Sequence, residues 1–312
     1  MTQKSHHDVI IIGGGAAGLS AGLVLARARA NVVLIDAGEP RNARATEIHG
    51  FLSRDGVPPV EFLEMGRQEF VAYGGIIRTA TVSSVAHSDD GQFSLTFRDG
   101  TTQTARALLV ATGLTDELPL IPGVRERWGT LVHHCPYCHG HEVLAKSIVV
   151  LGGKNKEFSL KQAGLLRRFS KDVTFVSNGL DLNKVEQGRL EAFGVRVIHG
   201  VVSHLIGQPG FLGGVGLTDG ATVPCDAVFV APRPRQNDAL LRSLGCDVDA
   251  ASGLITVDQF GHTSVPGVWA AGNVVTPSAQ VITAAGAGSA SAIAINGWLL
   301  QKDLDAASAA RP

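Results

Sequence analysis

The residues best placed to do chemistry lie in one nine-residue run, HHCPYCHGH, from His133 to His141. Cys135 and Cys138 stand two residues apart, with His133 and His134 before them and His139 and His141 after. Such a set suits three uses: a metal site, a redox-active dithiol, or a loop that is merely rich in both residue types. Zinc is disfavoured on spacing. A structural site takes its second ligand pair from a distant segment, and no second C-x-x-C or H-x₃₋₅-H lies at that distance. The other cysteines, Cys225 and Cys246, read as small buried apolar residues.

What positions this run is legible on both sides of it. Upstream, DVIIIGGGAAGLSAGLVLARARANVVLIDAG reads as a buried strand (Val9 to Ile12), a glycine turn, a helix, and a second strand (Val32 to Ile35) ending at Asp36. Gly13, Gly15 and Gly18 make the G-x-G-x-x-G fingerprint in its required context. The first glycine serves the tight turn and the second the approach of a pyrophosphate. The third serves helix packing, and Asp36 is placed for a ribose hydroxyl.

Downstream, SIVVLGGKNKEFSLKQAGLLRRFSKDVTFVSNG repeats the layout. It predicts a strand over Val149 to Leu151, a turn at Gly152-Gly153, a helix from Phe158 to Phe169, and a strand from Val173 to Val176. Aligned on the first glycine, the second and third fingerprint positions hold Lys154 and Glu157. The second strand runs into Ser177-Asn178, with no ribose-binding acid and no arginine cluster for a 2′-phosphate. The fold is expected to repeat while the second nucleotide site does not.

The chain resembles the low-molecular-weight thioredoxin reductase-like flavoproteins over nearly its whole length. The resemblance rests on the first glycine motif, VATG (Val110 to Gly113), CPYC, TSVPGVWAAGN (Thr263 to Asn273) and the following AQVITAAGAGSASA, in that order. It implies an α/β fold of two Rossmann-like domains, the second inserted into the first. Residues 1–117 and 234–312 would bind FAD, and residues 118–233 would carry CPYC. The implied FAD contacts are Gly13, Gly15, Ala16, Ala17, Gly18, Asp36, Ala37, Arg41, Asn42, Ala111, Thr112, Gly113, Gly272, Asn273, Gln280 and Val281. It also implies a homodimer, with the small-residue helix expected from Ala279 to Leu300 serving flavin binding or a dimer face.

Two departures matter. Asn273 stands where the family has an aspartate, and the nicotinamide fingerprint is lost. With HCPYCHGHE, these resemble the FAD-dependent dithiol oxidases that close disulfides in natural products of the gliotoxin, holomycin and romidepsin type. That resemblance implies oxidation of a small-molecule dithiol through Cys135 and Cys138. Oxygen is the acceptor, hydrogen peroxide the product, and NADPH is not used. Cys135 would receive the substrate thiolate and Cys138 would be the cysteine nearer the flavin. His134 and His139 would be bases, their ordinary pKa near 6.5 suiting thiol deprotonation at neutral pH. The alternative is a thioredoxin-disulfide reductase fed by NADPH or another donor; a flavin-binding sensor without turnover is a third.

Bulk properties bound the rest. With 45% hydrophobic and 18% charged residues, 312 residues can bury two cores. A formal charge of −1 without basic runs argues against nucleic acid. The opening apolar run breaks at Gly13, too short for a signal peptide, and no stretch is long enough to span a membrane. A cytoplasmic enzyme without metal is the expectation. His49 in EIHGFLSRDG reads as a solvated loop residue or as one lining the flavin or substrate pocket.

Overall fold

The computed structural model describes residues 5–88, 91–208 and 210–310. The first four residues of the opening stretch read above lie outside them. The amino-terminal unit begins with β1 (Ser5–Ile12), α1 (Ala16–Arg27) and β2 (Val32–Asp36). It continues through α2 (Pro59–Ala72), β3 (Ile76–Thr79), β4 (Val82–His87), β5 (Phe93–Phe97) and β6 (Thr102–Val110). The strands lie in the order β3-β2-β1-β6-β5-β4, parallel from β3 to β6. Val9 to Ile12 and Val32 to Ile35 are buried throughout, as strands covered on both faces must be.

The chain leaves this sheet through β7 (Leu114–Glu117). A second unit follows: α3 (Val124–Arg127), β8 (Val132–His133), α4 (Pro136–His139), β9 (Ile148–Leu151), α5 (Lys156–Leu166) and β10 (Val173–Val176). Then come α6 (Lys184–Ala192), β11 (Arg196–Ile198), β12 (Val202–Ile206), β13 (Gly214–Leu217), β14 (Thr222–Val223) and β15 (Ala227–Phe229). Its main sheet, β11-β10-β9-β15-β8, is parallel throughout; β12, β13 and β14 form a separate antiparallel sheet. The order β11-β10-β9-β15 reproduces β3-β2-β1-β6, so the repeat seen in the sequence is a repeat of architecture. At the edge of the second sheet lies β8, and CPYC begins two residues beyond that strand's carboxyl end. Sites in such sheets gather at the carboxyl ends of strands.

The return runs through β16 (Arg233–Gln236), which pairs antiparallel with β7. After α7 (Ala239–Ser243), β17 (Val268–Ala270) joins the first sheet along Leu108 to Val110 of β6. The last helix, α8 (Val281–Ala309), packs against α1 by small residues. A side chain at Gly288 would sit 2.0 Å from the Ala17 carbonyl, so the two backbones touch. Two predicted helices shift. α5 starts at Lys156 because the Asn155 side chain caps it, and it stops at Leu166 before a turn tied by Ser170 to the Lys146 carbonyl. α8 runs nine residues past Leu300 through exposed helix formers.

Candidate active site

At the first fingerprint each glycine has a distinct physical reason. Gly13 has φ +113°, and a Cβ there would lie 2.3 Å from the Ala111 carbonyl oxygen. A Cβ on Gly18 would lie 1.9 Å from the carbonyl of Gly13. Gly15 differs, because a Cβ there would meet nothing within 4 Å. That open side faces outward at the amino terminus of α1, whose first turn has no side-chain cap and no acid. Free N–H groups beside Ala16, Ala17 and Gly18 suit a pyrophosphate. The residues therefore fit FAD.

Other expected contacts already have partners. The Asp36 carboxylate accepts from the Gly14 and Gly38 amides and from Arg67 at 3.1 Å, with lone pairs left for a ribose. Ala37 and Asn42 lie on the exposed to half-buried loop after β2. Thr112 donates to the Asn237 carbonyl, and Gly113 (φ +66°) accepts from the Asn237 amide, so this stretch ties the two crossings together. Gly272 packs its bare face on Ala17. The Asn273 amide donates to the carbonyls of Thr276, Pro277 and Ala279 and fixes the turn leading to Gln280 and Val281 at the start of α8.

The second fingerprint is filled by its own side chains. The Asn155 side-chain Oδ1 accepts from the Phe158 amide, and the Ser159 hydroxyl accepts from the Gly153 amide. The turn is one residue longer than at α1. Asn155, not Lys154, therefore occupies the cap held by Gly15, and Phe158, not Glu157, occupies the third-glycine position. Two of the donors that would cradle a phosphate, the Gly153 and Phe158 amides, are taken, and Glu157 adds an acid to the first turn. Ser177, in register with Asp36, accepts from the Gly200 amide, and Asn178 beside it bridges the Gly152 carbonyl and the Val202 amide.

Between the two fingerprints, Cys135 and Cys138 form a disulfide, so the pair offers no thiolate to a metal. Among the described residues no group of histidine, cysteine and carboxylate side chains converges on a cation position. Cys135 caps α4: its Sγ accepts from the Cys138 amide at 3.2 Å, a contact that stabilises negative charge on that sulfur when the bridge opens. The buried Gln162 on α5 donates to the carbonyls of His134 and Val230, fastening the segment to the end of β15.

The flanking imidazoles do not keep the ordinary pKa expected of them. Burial, reinforced by the neighbouring His139 and His134, pushes His133 down to about 3. Burial and then the Arg41 guanidinium push His134 down to about 4, against a smaller opposite pull from Asp116. Burial also lowers His139. His133 and His139 stack at 4.3 Å, while His134 stacks on Trp128 at 5.5 Å. All three are neutral at pH 7 in the oxidised enzyme, and they hold protons weakly.

Arg41, expected at the cofactor, is paired with Asp116 of β7 through two hydrogen bonds of 2.7 and 2.9 Å, and its Nη2 lies 3.4 Å from His134 Nε2. A cleft of about 270 Å³ opens beside Cys138, lined by His49, Asp55, Tyr137, Cys138, His141 and Glu142. Four residues here lay outside the expected site: His49, Glu142, Asp116 and Gln162. Only His49 carried a signal, a histidine in a glycine-bounded loop. The others act through pairings that no local pattern announces.

Comparison with known proteins places this arrangement. The chain matches the pyridine nucleotide-disulphide oxidoreductase family over residues 7–288. It belongs to that family. The thioredoxin reductase sirT of Leptosphaeria maculans is 31% identical, the alignment covering 98% of each chain. The thioredoxin reductase tcpT of Claviceps purpurea is 31% identical over 88% of each. Among solved structures, the crystal structure of HlmI superposes with a TM-score of 0.95 at 46% identity, over 99% of this chain and 98% of that one. The putative thioredoxin reductase TrxB of Bacillus anthracis gives 0.91 at 32% identity, over 95% and 99%.

A pyridine nucleotide-disulphide oxidoreductase of thioredoxin reductase type is an FAD flavoprotein, in agreement with the open face at Gly15. The chain is thus an oxidoreductase with two Rossmann-like domains, and it carries the Cys135–Cys138 disulfide. Among the described residues, no helix is long and apolar enough to cross a membrane.

Proposed function

We propose that this flavoprotein is a dithiol oxidase: it closes a disulfide in a compact small-molecule dithiol, passes the electrons to oxygen, and does not draw them from NADPH. The observation carrying this reading is the second fingerprint, where the Asn155 and Ser159 side chains occupy two of the amide donors a nicotinamide dinucleotide would use and Glu157 sets an acid in the first turn. The cleft of about 270 Å³ that reaches the disulfide at Cys138 is of a size for a small substrate. We take residues 1–117 and 234–312 as the FAD-binding domain and 118–233 as the insert, supported by the β7–β16 ribbon where the chain crosses twice. A cytoplasmic homodimer is part of the same proposal.

In the first step a substrate thiolate attacks Sγ of Cys135, the bridge breaks, and Cys138 leaves as thiolate. The second substrate thiol then attacks the substrate sulfur of this mixed disulfide. Cys135 leaves as thiolate, steadied by the Cys138 amide. The substrate has lost two electrons, and the enzyme holds them as a dithiol. Bound FAD supplies the acceptor for that pair and the centre at which oxygen becomes hydrogen peroxide. Gln162 and the Arg41–Asp116 pair hold the dithiol segment in place throughout. The buried imidazoles surround it with uncharged rings.

Oxygen stoichiometry tests the proposal. With dithiothreitol in air, one oxygen consumed and one peroxide formed per disulfide is expected, and Cys138→Ser is expected to stay yellow and inactive. A lack of peroxide under turnover would point to another acceptor. Loss of FAD from Cys138→Ser would make that cysteine structural.

A further inference from the structure

The exchange needs a proton to leave the incoming thiol and another to reach the departing cysteine, yet the expected bases are badly placed for this. His134 lies between Trp128 and Arg41, and His139 stacks on His133 with its Nδ1 buried and unpartnered. Neither lines the cleft at Cys138; of the imidazoles, His49 and His141 do. His141 is 83% exposed, with one carboxylate 3.9 Å away. His49 is enclosed instead, its ring held between the FAD-binding loop that carries it and the dithiol segment opposite.

Nδ1 of His49 lies 3.5 Å from Asp55, and Nε2 lies 3.4 Å from Glu142 and 3.6 Å from Glu47. Asp55 is itself fixed by the Gly50 amide at 2.7 Å, the first cause holding its carboxyl below the usual range. Glu142 belongs to the dithiol segment, four residues beyond Cys138. Carboxylates on both sides orient the imidazole, and Nε2, facing Glu142, is the nitrogen turned toward the dithiol segment and placed to exchange protons there.

We propose that His49 is the proton shuttle of the dithiol–disulfide exchange, taking the proton of the attacking substrate thiol and returning it to Cys138. The inference rests on the dithiol-oxidase reading above. The thiol proton passes to His49 Nε2 as the substrate sulfur bonds to Cys135. The Cys135–Cys138 bond breaks toward Cys138, and the same proton then moves from the imidazolium to the Cys138 thiolate. No net charge is made or lost in the cleft. Glu47, Asp55 and Glu142 offset the transient cation, and the groups facing it from the dithiol segment are Cys138, His139 and His141.

The test is anaerobic stopped-flow reduction of the bound flavin by dithiothreitol from pH 6 to pH 10, in the holoenzyme and in His49→Gln. General base–acid help of this kind is worth about 10²-fold or more. The variant should keep its flavin spectrum and be slower by about 10²-fold at pH 7. The deficit should close as pH rises and the free thiol ionises unaided. Asp55→Asn, which leaves the imidazole in place, should show a smaller loss with the same pH trend, and it carries the test if the first variant loses flavin. A wild-type rate in His49→Gln, or a loss equal at every pH, would overturn the shuttle while leaving the oxidase reading intact. A wild-type flavin that dithiothreitol does not reduce would overturn both.

Discussion

The guanidinium of Arg41 grips the carboxylate of Asp116 at two points, 2.7 and 2.9 Å, and touches His134 with the same nitrogen that makes the longer bond. One residue thus joins the loop after β2, the first crossing strand and the dithiol segment. Asp116 is only 7% exposed, so Arg41→Met strands a buried carboxylate at a cost of about 3 kcal/mol, readable as a lower urea midpoint. The same variant removes a cation next to His134 and leaves an anion, so that histidine's pKa should climb from about 4. Imidazole proton shifts followed against pH would show it; an unmoved pKa would assign the whole depression to burial.

Acid should weaken the folded enzyme earlier than its carboxylates alone would. His133 and His134 titrate near 6.5 when unfolded, and near 3 and 4 when folded. Above 6.5 neither state binds a proton there. As pH falls below it, the unfolded chain takes up protons that the folded one refuses. Stability therefore drops between about pH 6.5 and 4 by on the order of 1 kcal/mol per pH unit for each ring. Denaturant midpoints from pH 8 to pH 5 should fall more gently in His133→Phe than in the wild type. Parallel curves would contradict the assignment.

Two glycines of one fingerprint should fail in different ways. Gly13→Val forces a branched side chain into φ +113° and onto the Ala111 carbonyl, and should yield little folded protein. Gly15→Val meets no protein atom but fills the space left for a pyrophosphate, at a backbone φ of −79° that valine accepts. It should fold with a normal circular dichroism spectrum and purify nearly colourless. FAD retained at wild-type occupancy would show that the pyrophosphate lies elsewhere.

Asn155 tests the filled second fingerprint. Asn155→Ala removes the cap of α5 and should cost about 1 kcal/mol of stability by thermal unfolding. Flavin reduction by dithiothreitol should be unchanged, and NADPH should remain without effect, because the Ser159 hydroxyl still occupies the Gly153 amide.

The fold was largely legible because parallel strands buried on both faces write themselves as β-branched runs, and a glycine turn follows each. Val9 to Ile12 and Ile148 to Leu151 are such runs, and their likeness disclosed the repeat. The alignment of the second turn slipped by one residue because sequence shows a missing glycine but not the extra residue that makes Asn155 the cap. The dithiol was legible from its spacing. Its electrostatics were not, since the pKa of His133 depends on burial and that of His134 on burial and on Arg41, 93 positions away from it. His49 was legible only as one of two alternatives, solvated or pocket-lining, because Glu142, 93 positions along the chain, is what turns a loop histidine into part of a cleft.

The direction of electron flow is tested most directly by watching the flavin band of the purified holoenzyme under anaerobic conditions while one reductant is added at a time. Dithiothreitol is expected to bleach it within the time of turnover, and NADPH in excess is expected to leave it yellow. Rapid bleaching by NADPH would contradict the account and make the protein a disulfide reductase.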